Sequence, residues 1–294
     1  MTTDPVVRTR GLTKHYGAAV GLEHLDLEVG AGEVFGYLGP NGAGKTTTIR
    51  LLLGLLRPTA GTAEVLGLDA TTQAERAHRR LAYVAGDVAL WPSLTGAETL
   101  HLLARVHGSI DEHYRDELVE RFELDPSRRV RTYSKGNRQK LALIGALMTR
   151  ADLLVLDEPT AGLDPLMEQV FRECVREASS RGQSVFLSSH VLSEVEALCE
   201  RVGILREGRL VASGTLHDMR LDTTLSLLAT FDGTAPDLGH VPGVVDAVVD
   251  GATLRCRVDG PVAPVLAALA SAGATRLVSR EPTLEELFLT HYRT

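Results

Sequence analysis

Between Gly39 and Thr47 the chain reads G-P-N-G-A-G-K-T-T, which matches the phosphate-handling spacing G-x-x-x-x-G-K-[ST]. Gly39, Gly42 and Gly44 lack a Cβ, so the backbone there can turn tightly and direct N–H groups at phosphate oxygens. Pro40, Asn41, Ala43 and Thr47 complete the loop. Lys45 supplies a mobile positive charge for β- and γ-phosphates, and Thr46 offers the hydroxyl oxygen that Mg²⁺ accepts as a ligand. Further on, Leu153-Leu154-Val155-Leu156 runs into the carboxylates Asp157 and Glu158. Asp157 can hold Mg²⁺ beside Thr46, directly or through water. Glu158 can take a proton from, or orient, the water that attacks a γ-phosphate. Standing alone, this pair reads equally well as a strand with an acidic turn broken by Pro159. Downstream of a phosphate loop, the catalytic reading is preferred.

These residues need a scaffold that brings strand ends together. Glu33 to Leu38 reads as a strand entering the loop, and Thr47 to Leu53 as the helix leaving it, whose N-terminus adds partial positive charge. Val6 to Arg10 and Leu25 to Val29 alternate like strands, with Gly30-Ala31-Gly32 as a turn. Residues 58–67 form a turn and short strand, and Leu81 to Val84 a further one. From about Gly96 to Met148 the apolar spacing is helical, with Ala97 to Val106 and Asp116 to Phe122 as the clearest segments. Leu153 to Leu156 and Ser184 to Leu187 return to the fully apolar strands of a parallel sheet, joined by a helix over Leu166 to Arg181. The predicted fold class is α/β: a nucleotide-binding core with a helical insertion at about 88–150. Near Thr215 the texture changes. Leu225 to Phe231, Val244 to Val249 and Ala252 to Val258 read as strands, the last two joined by an Asp250-Gly251 hairpin. Val262, Val265, Leu266 and Leu269 mark a helix face, a strand follows at Arg276 to Val278, and Thr283 with Glu286 makes a capping box. The expected organisation is residues 1–215 as the nucleotide-binding domain and 216–294 as a small α+β domain for assembly or regulation.

Composition narrows the function classes. Of 294 residues, 44% are hydrophobic and 23% charged, an ordinary globular balance. A net charge of −7 and only 4% aromatic residues argue against a nucleic-acid surface. Cys174, Cys199 and Cys256 show no C-x-x-C spacing, which fits a reducing compartment without a cysteine metal site. The first residues lack the pattern of a signal peptide, and no apolar run approaches the ~20 residues of a membrane span. If the protein acts at a membrane, another chain supplies the spans.

Tyr133-Ser134-Lys135-Gly136-Asn137, ahead of the helix-like Leu141 to Met148, would alone read as a basic helix cap. A serine hydroxyl and glycine N–H groups at a helix start also make an anion site. In this order of motifs the chain resembles the ATP-binding cassette family, whose signature peptide is Leu-Ser-Gly-Gly-Gln. Three positions depart from it: Tyr133, Lys135 and Asn137. Ala161-Gly162-Leu163-Asp164 follows the acidic pair as the family's D-loop does, and His190 stands at the end of a strand where the family has its switch histidine. Taken singly, His190 would read as a capping or buried histidine. The resemblance implies that it touches the γ-phosphate, that Tyr16 stacks on adenine, and that Ser134 and Gly136 grip the γ-phosphate held by a second subunit. Tyr16 has a plainer reading as a half-exposed strand tyrosine. One motif departs: where the family has a glutamine after a strand, this chain has Gly86, followed by Asp87. Glu281-Pro282-Thr283-Leu284-Glu285-Glu286-Leu287-Phe288-Leu289 resembles the ending of bacterial drug-exporter ATPases of the daunorubicin-exporter kind.

The resemblance implies a P-loop ATPase core that binds ATP and Mg²⁺ and hydrolyses ATP. It also implies a second cassette as partner, most simply a homodimer, integral membrane permease subunits, and a place at the cytoplasmic face of the cell membrane. Residues 88–94 are the expected docking region for the permease, with Trp91 as either an interface anchor or local core. Export is the preferred direction. The alternatives are an importer ATPase, a soluble cassette ATPase acting on ribosomes or DNA, and a module that binds ATP without hydrolysing it. Glu158 argues against the last, and a single phosphate loop without sustained heptads argues against the soluble ATPase.

Overall fold

The computed structural model describes residues 4–108, 110–221, 225–280 and 285. The chain divides into two compact units, Met1–Ser213 and Gly214–Thr294.

The first unit begins with an antiparallel sheet. Strand β1 (Val7–Tyr16) pairs with β2 (Ala19–Val29) and with β4 (Ala60–Val65), which in turn pairs with the short β5 (Leu68–Asp69). Both β1 and β2 outrun the segments that alternation predicts. Register shifts around Gly11 let the strands continue after strict alternation stops. There β1 and β4 cross so closely that a Cβ on Gly61 would lie 2.2 Å from the Gly11 carbonyl oxygen.

A second sheet carries the phosphate loop and the Asp157-Glu158 pair at its strand ends. Strands β3 (Val34–Leu38), β6 (Leu81–Val84), β7 (Leu153–Asp157), β8 (Ser184–Ser189), β9 (Arg201–Arg206) and β10 (Arg209–Thr215) lie in the order β10-β9-β3-β8-β7-β6. Pairing is parallel across β9-β3-β8-β7-β6. β7 and β8 are buried along their whole length, which is why they read as continuous apolar runs. Helix α1 (Lys45–Leu52) joins the two sheets: its Ile49, Leu51 and Leu52 share one core with Leu12 and Leu25 of the first sheet and Tyr37, Val155 and Phe186 of the second. α1 starts two residues before the expected Thr47, because Gly44 takes a left-handed φ of 110° and so lets the helix begin at Lys45.

After α2 (Ala74–His78) comes the helical insertion: α3 (Gly96–His107), α4 (Glu112–Arg121) and α5 (Lys135–Leu147). A capping box between Thr95 and Glu98 starts α3, and Asp111 caps α4. Helix α6 (Pro165–Ser180), capped by Asp164, makes the crossover from β7 to β8. Arg121 of α4 ties the insertion to α6 through two 2.9 Å bonds to Glu177. Helix α7 (Leu192–Leu198) joins β8 to β9.

The second unit takes in the last two residues of β10 and continues with α8 (Leu216–Leu221). Strands β11 (Leu225–Phe231), β12 (Val244–Asp250), β13 (Thr253–Val258) and β14 (Ala274–Arg280) form an antiparallel sheet in the order β12-β13-β11-β14, and Asp250 pairs with Thr253 across the hairpin. Helix α9 (Ala263–Ser271) buries Val265 and Leu269 against Leu227, Phe231, Leu254 and Val258, with Val262 packed alongside. Leu266 is exposed, because the buried stripe here is only one residue wide per turn. The capping box at Thr283 and Glu286 lies outside the described residues, as does the closing peptide apart from the exposed Glu285.

Candidate active site

Parallel pairing places the C-terminal ends of β3, β8 and β7 side by side, with Leu38 opposite Ser189 and Asp157 opposite Ser188. Open α/β sheets bind ligands at such strand ends. The loop Gly39–Gly44 leaves β3 there and delivers Lys45 and Thr46 as the first residues of α1. Gly44 has no room for a side chain: a Cβ would stand 2.6 Å from the Gly21 carbonyl oxygen. α1 has no side-chain cap and no acidic residue in its first turn, so its N-terminal N–H groups and partial positive charge are available to an anion.

The four residues expected to act on phosphate and metal converge with His190. Lys45, only 5% exposed, donates from Nζ to the carbonyls of Gly39 (2.6 Å) and Pro40 (3.2 Å) and pairs with Glu158 Oε1 at 3.2 Å. Thr46 Oγ1 donates to Asp157 Oδ2 at 2.9 Å. The other Asp157 oxygen accepts from Ser188 Oγ at 2.5 Å. Glu158 Oε2 is hydrogen-bonded to His190 Nδ1, so Glu158 bridges the lysine and the histidine. The Glu158 backbone has φ of +50°, a left-handed conformation that costs free energy in a non-glycine residue and is concentrated at functional sites. Its N–H is held by the Ser188 carbonyl at 3.0 Å. Thr46 with Asp157 offers an exposed hydroxyl and a carboxylate side by side, the hard-oxygen donor set that suits Mg²⁺. Burial, and then the negative charge of Asp157, push the Tyr83 phenol upward.

Gly86 sits against this donor set. A Cβ there would lie 3.7 Å from Asp157 Oδ2, so a side chain at position 86 would reach the Asp157 carboxylate. Asp87 is exposed next to it. Of the remaining loop residues, Pro40, Asn41 and Gly42 are exposed, Ala43 is buried and Thr47 half-buried.

Tyr16, Ser134 and Gly136 are not bonded to the cluster among the described residues. Tyr16, half-exposed at the end of β1, lays its ring over Gly21, whose carbonyl in turn abuts Gly44. Ser134 caps α5, accepting from the Asn137 N–H at 3.2 Å. Gly136 is pressed against the D-loop turn, where a Cβ would stand 2.6 Å from the Gly162 carbonyl. Ser188 belongs to the site although no motif names it. Two serines ending an otherwise apolar strand were its only sequence signal.

A phosphate loop at a parallel strand end, facing a strand-end Asp-Glu pair, defines a P-loop ATPase. The ABC transporter family model matches residues 22–161. A daunorubicin resistance ATP-binding protein, DrrA3 of Streptomyces coeruleorubidus, is 37% identical over 97% of this chain and 95% of its own length. The bacitracin transport ATP-binding protein BcrA of Bacillus licheniformis is 38% identical over 70% of this chain and 68% of its own. A solved ATP-binding subunit of an ABC transporter superposes with a TM-score of 0.70 at 33% identity, covering 73% of this chain and 92% of that one. The chain belongs to the ATP-binding subunits of the ABC transporter family, and it binds and hydrolyses ATP. Among the described residues no helix is long and apolar enough to cross a membrane.

Proposed function

We propose that two copies of this chain clamp ATP between them at the cytoplasmic face of the cell membrane and drive export through separate permease subunits. The observation that carries the reading is the convergence of Lys45, Thr46, Asp157, Glu158 and His190 at adjacent strand ends. The triphosphate lies over the α1 N-terminus, with Tyr16 against adenine beyond Gly21. As phosphate oxygens arrive, Lys45 exchanges its bond to Glu158 for the β- and γ-phosphates. Glu158, released, takes a proton from the attacking water. The water oxygen bonds to the γ-phosphorus, the bond to the β–γ bridging oxygen breaks, and ADP and phosphate result. His190 orients Glu158 and contacts the γ-phosphate. Thr46 and Asp157 are the residues that would hold Mg²⁺, which when bound neutralises charge on the β- and γ-phosphates.

Ser134 and Gly136, unattached to the cluster of their own chain, complete the site of a second cassette. A cleft of about 770 Å³ between α2, β6, α3 and α5, lined by Tyr83, Leu90, Leu103, Val106 and Ala142, supports docking of a permease helix beside the exposed Trp91. Residues 1–215 form the ATPase and 216–294 an assembly or regulatory domain. Export is favoured by the relatives named for daunorubicin resistance and bacitracin transport.

Mixing Ser134→Arg chains with Lys45→Ala chains tests the shared site. A mixed dimer has one site with both defects and one with neither. ATPase activity above that of either variant alone is expected. No recovery in verified mixed dimers refutes independently acting composite sites.

A further inference from the structure

Glu194, in the first turn of α7, is 5% exposed and no part of the phosphate chemistry uses it. Its Oε2 accepts from Ser189 Oγ at 2.8 Å. The same Ser189 hydroxyl accepts from the Val191 N–H at 2.9 Å, so it straddles His190 and sets the turn that carries the histidine. The other oxygen, Oε1, is buried without a hydrogen-bond partner. Such an atom is costly to keep, and it calls for a reason. The side chain of Thr160, in the turn that follows the acidic pair, faces this carboxyl group.

That second turn is tied to the start of α5. Gln139 donates to the Pro159 carbonyl at 2.7 Å, and Gly136 abuts Gly162. On the opposite side, the Glu158 N–H is held by Ser188 on β8. Glu194 therefore stands between two turns, one carrying Glu158 and leading to the Ser134 helix, the other carrying His190.

We propose that Glu194 is a positioning residue that clamps these turns together, Oε2 holding the His190 turn and Oε1 receiving the Thr160 hydroxyl when the site closes on nucleotide. The clamp keeps Glu158 and His190 in register and transmits a shift of His190 to the Ser134 helix. Its burial raises the carboxyl pKa, and the nearby Glu168 and Glu158 charges add to that rise, while the Ser189 hydrogen bond and the facing Thr160 hydroxyl oppose it. A hydrogen-bonding rather than an ionic role suits such surroundings. The inference rests on the roles assigned to Glu158 and His190 above.

The test compares Glu194→Ala, Glu194→Gln, Thr160→Val and the Glu194→Ala/Thr160→Val double variant, with Glu158→Gln as reference, in steady-state ATPase and nucleotide-binding assays. Misplacement of a reacting group costs roughly 10- to 100-fold in rate. Glu194→Ala should lose kcat on that scale while ATP affinity and KM stay within about threefold. Glu194→Gln keeps an acceptor for Ser189 and turns an amide toward Thr160, and should recover most of the rate. Thr160→Val should lose kcat in the same direction, and the double variant should lose no more than Glu194→Ala alone, as expected for one shared interaction. Should Glu194→Ala not fold, Thr160→Val and Glu194→Gln carry the same expectations. Parent kcat in Glu194→Ala or Thr160→Val overturns the clamp, as does a Glu194→Gln as slow as Glu194→Ala, or full additivity in the double variant. If Glu158→Gln hydrolyses ATP at the parent rate, the assignment of Glu158 fails and the clamp falls with it. A stopped Glu158→Gln beside an unaffected Glu194→Ala overturns the clamp alone.

Discussion

Replacing Glu158 by Gln changes one charge at a place where two opposite effects follow. The Glu158 carboxylate lies 3.2 Å from Lys45 Nζ, and both side chains are largely withdrawn from water. Two unit charges at that separation attract by about 1.3 kcal/mol even at the dielectric constant of bulk water, and more in a partly buried site. Phosphate must displace this attraction to reach Lys45. The amide introduced by Glu158→Gln offers only a neutral dipole and no longer repels an incoming γ-phosphate. ATP affinity should therefore rise by about tenfold or more, the equivalent of 1.4 kcal/mol. Turnover should move the other way. An amide cannot accept the proton of the attacking water, and loss of a general base lowers rates by roughly 10²–10⁴-fold. The assay pairs equilibrium binding of ATP with phosphate release at saturating ATP, and size-exclusion chromatography should reveal an ATP-stabilised dimer. Weaker ATP binding would refute the electrostatic reasoning. Turnover at the parent rate would refute the base assignment and direct attention to His190.

Three further outcomes are expected. Hydrogen bonds from Arg121 hold the Glu177 carboxyl below its ordinary range in the folded chain, so its contribution is present above the unfolded value near 4.3 and is lost as pH falls through the lower folded value; urea midpoints measured from pH 6 to 3 should fall more steeply for the parent than for Glu177→Gln, and parallel curves would count against the bridge. Burial pushes the Cys174 thiol up to about 12 and raises Cys199 and Cys256 as well, so a thiol reagent should label the native protein slowly and all three cysteines after denaturation, and rapid labelling of a native thiol would contradict the packing. A chain truncated after Thr215 should keep its ATP affinity and lose co-purification with permease subunits; lost affinity in a folded truncated chain would place the second domain in the catalytic unit.

What could be read from sequence was whatever is local. Lys45, Thr46, Asp157 and Glu158 belong to short peptides whose types and spacing already state their chemistry, and each peptide lies at the end of an apolar run. Their convergence follows from parallel strands sharing one end. Ser188 and Glu194 were not legible for the same physical reason: their partners are set by tertiary neighbours. Only the β7–β8 pairing brings Ser188 to Asp157, 31 residues away in the chain. The length of β1 and β2 was hidden by register shifts that break alternation. Leu266 follows helical spacing yet faces water, because periodicity states which residues share a face and not how much of that face is covered.

Trp91 is the one tryptophan of the chain, and it is 48% exposed between β6 and α3. Indole emission moves to shorter wavelength when the ring leaves water. The protein therefore carries a built-in optical reporter one residue beyond Leu90, which lines the cleft between α2, β6, α3 and α5. Engagement of that stretch can be followed in real time without attaching a dye, and its spectrum will report on one place only.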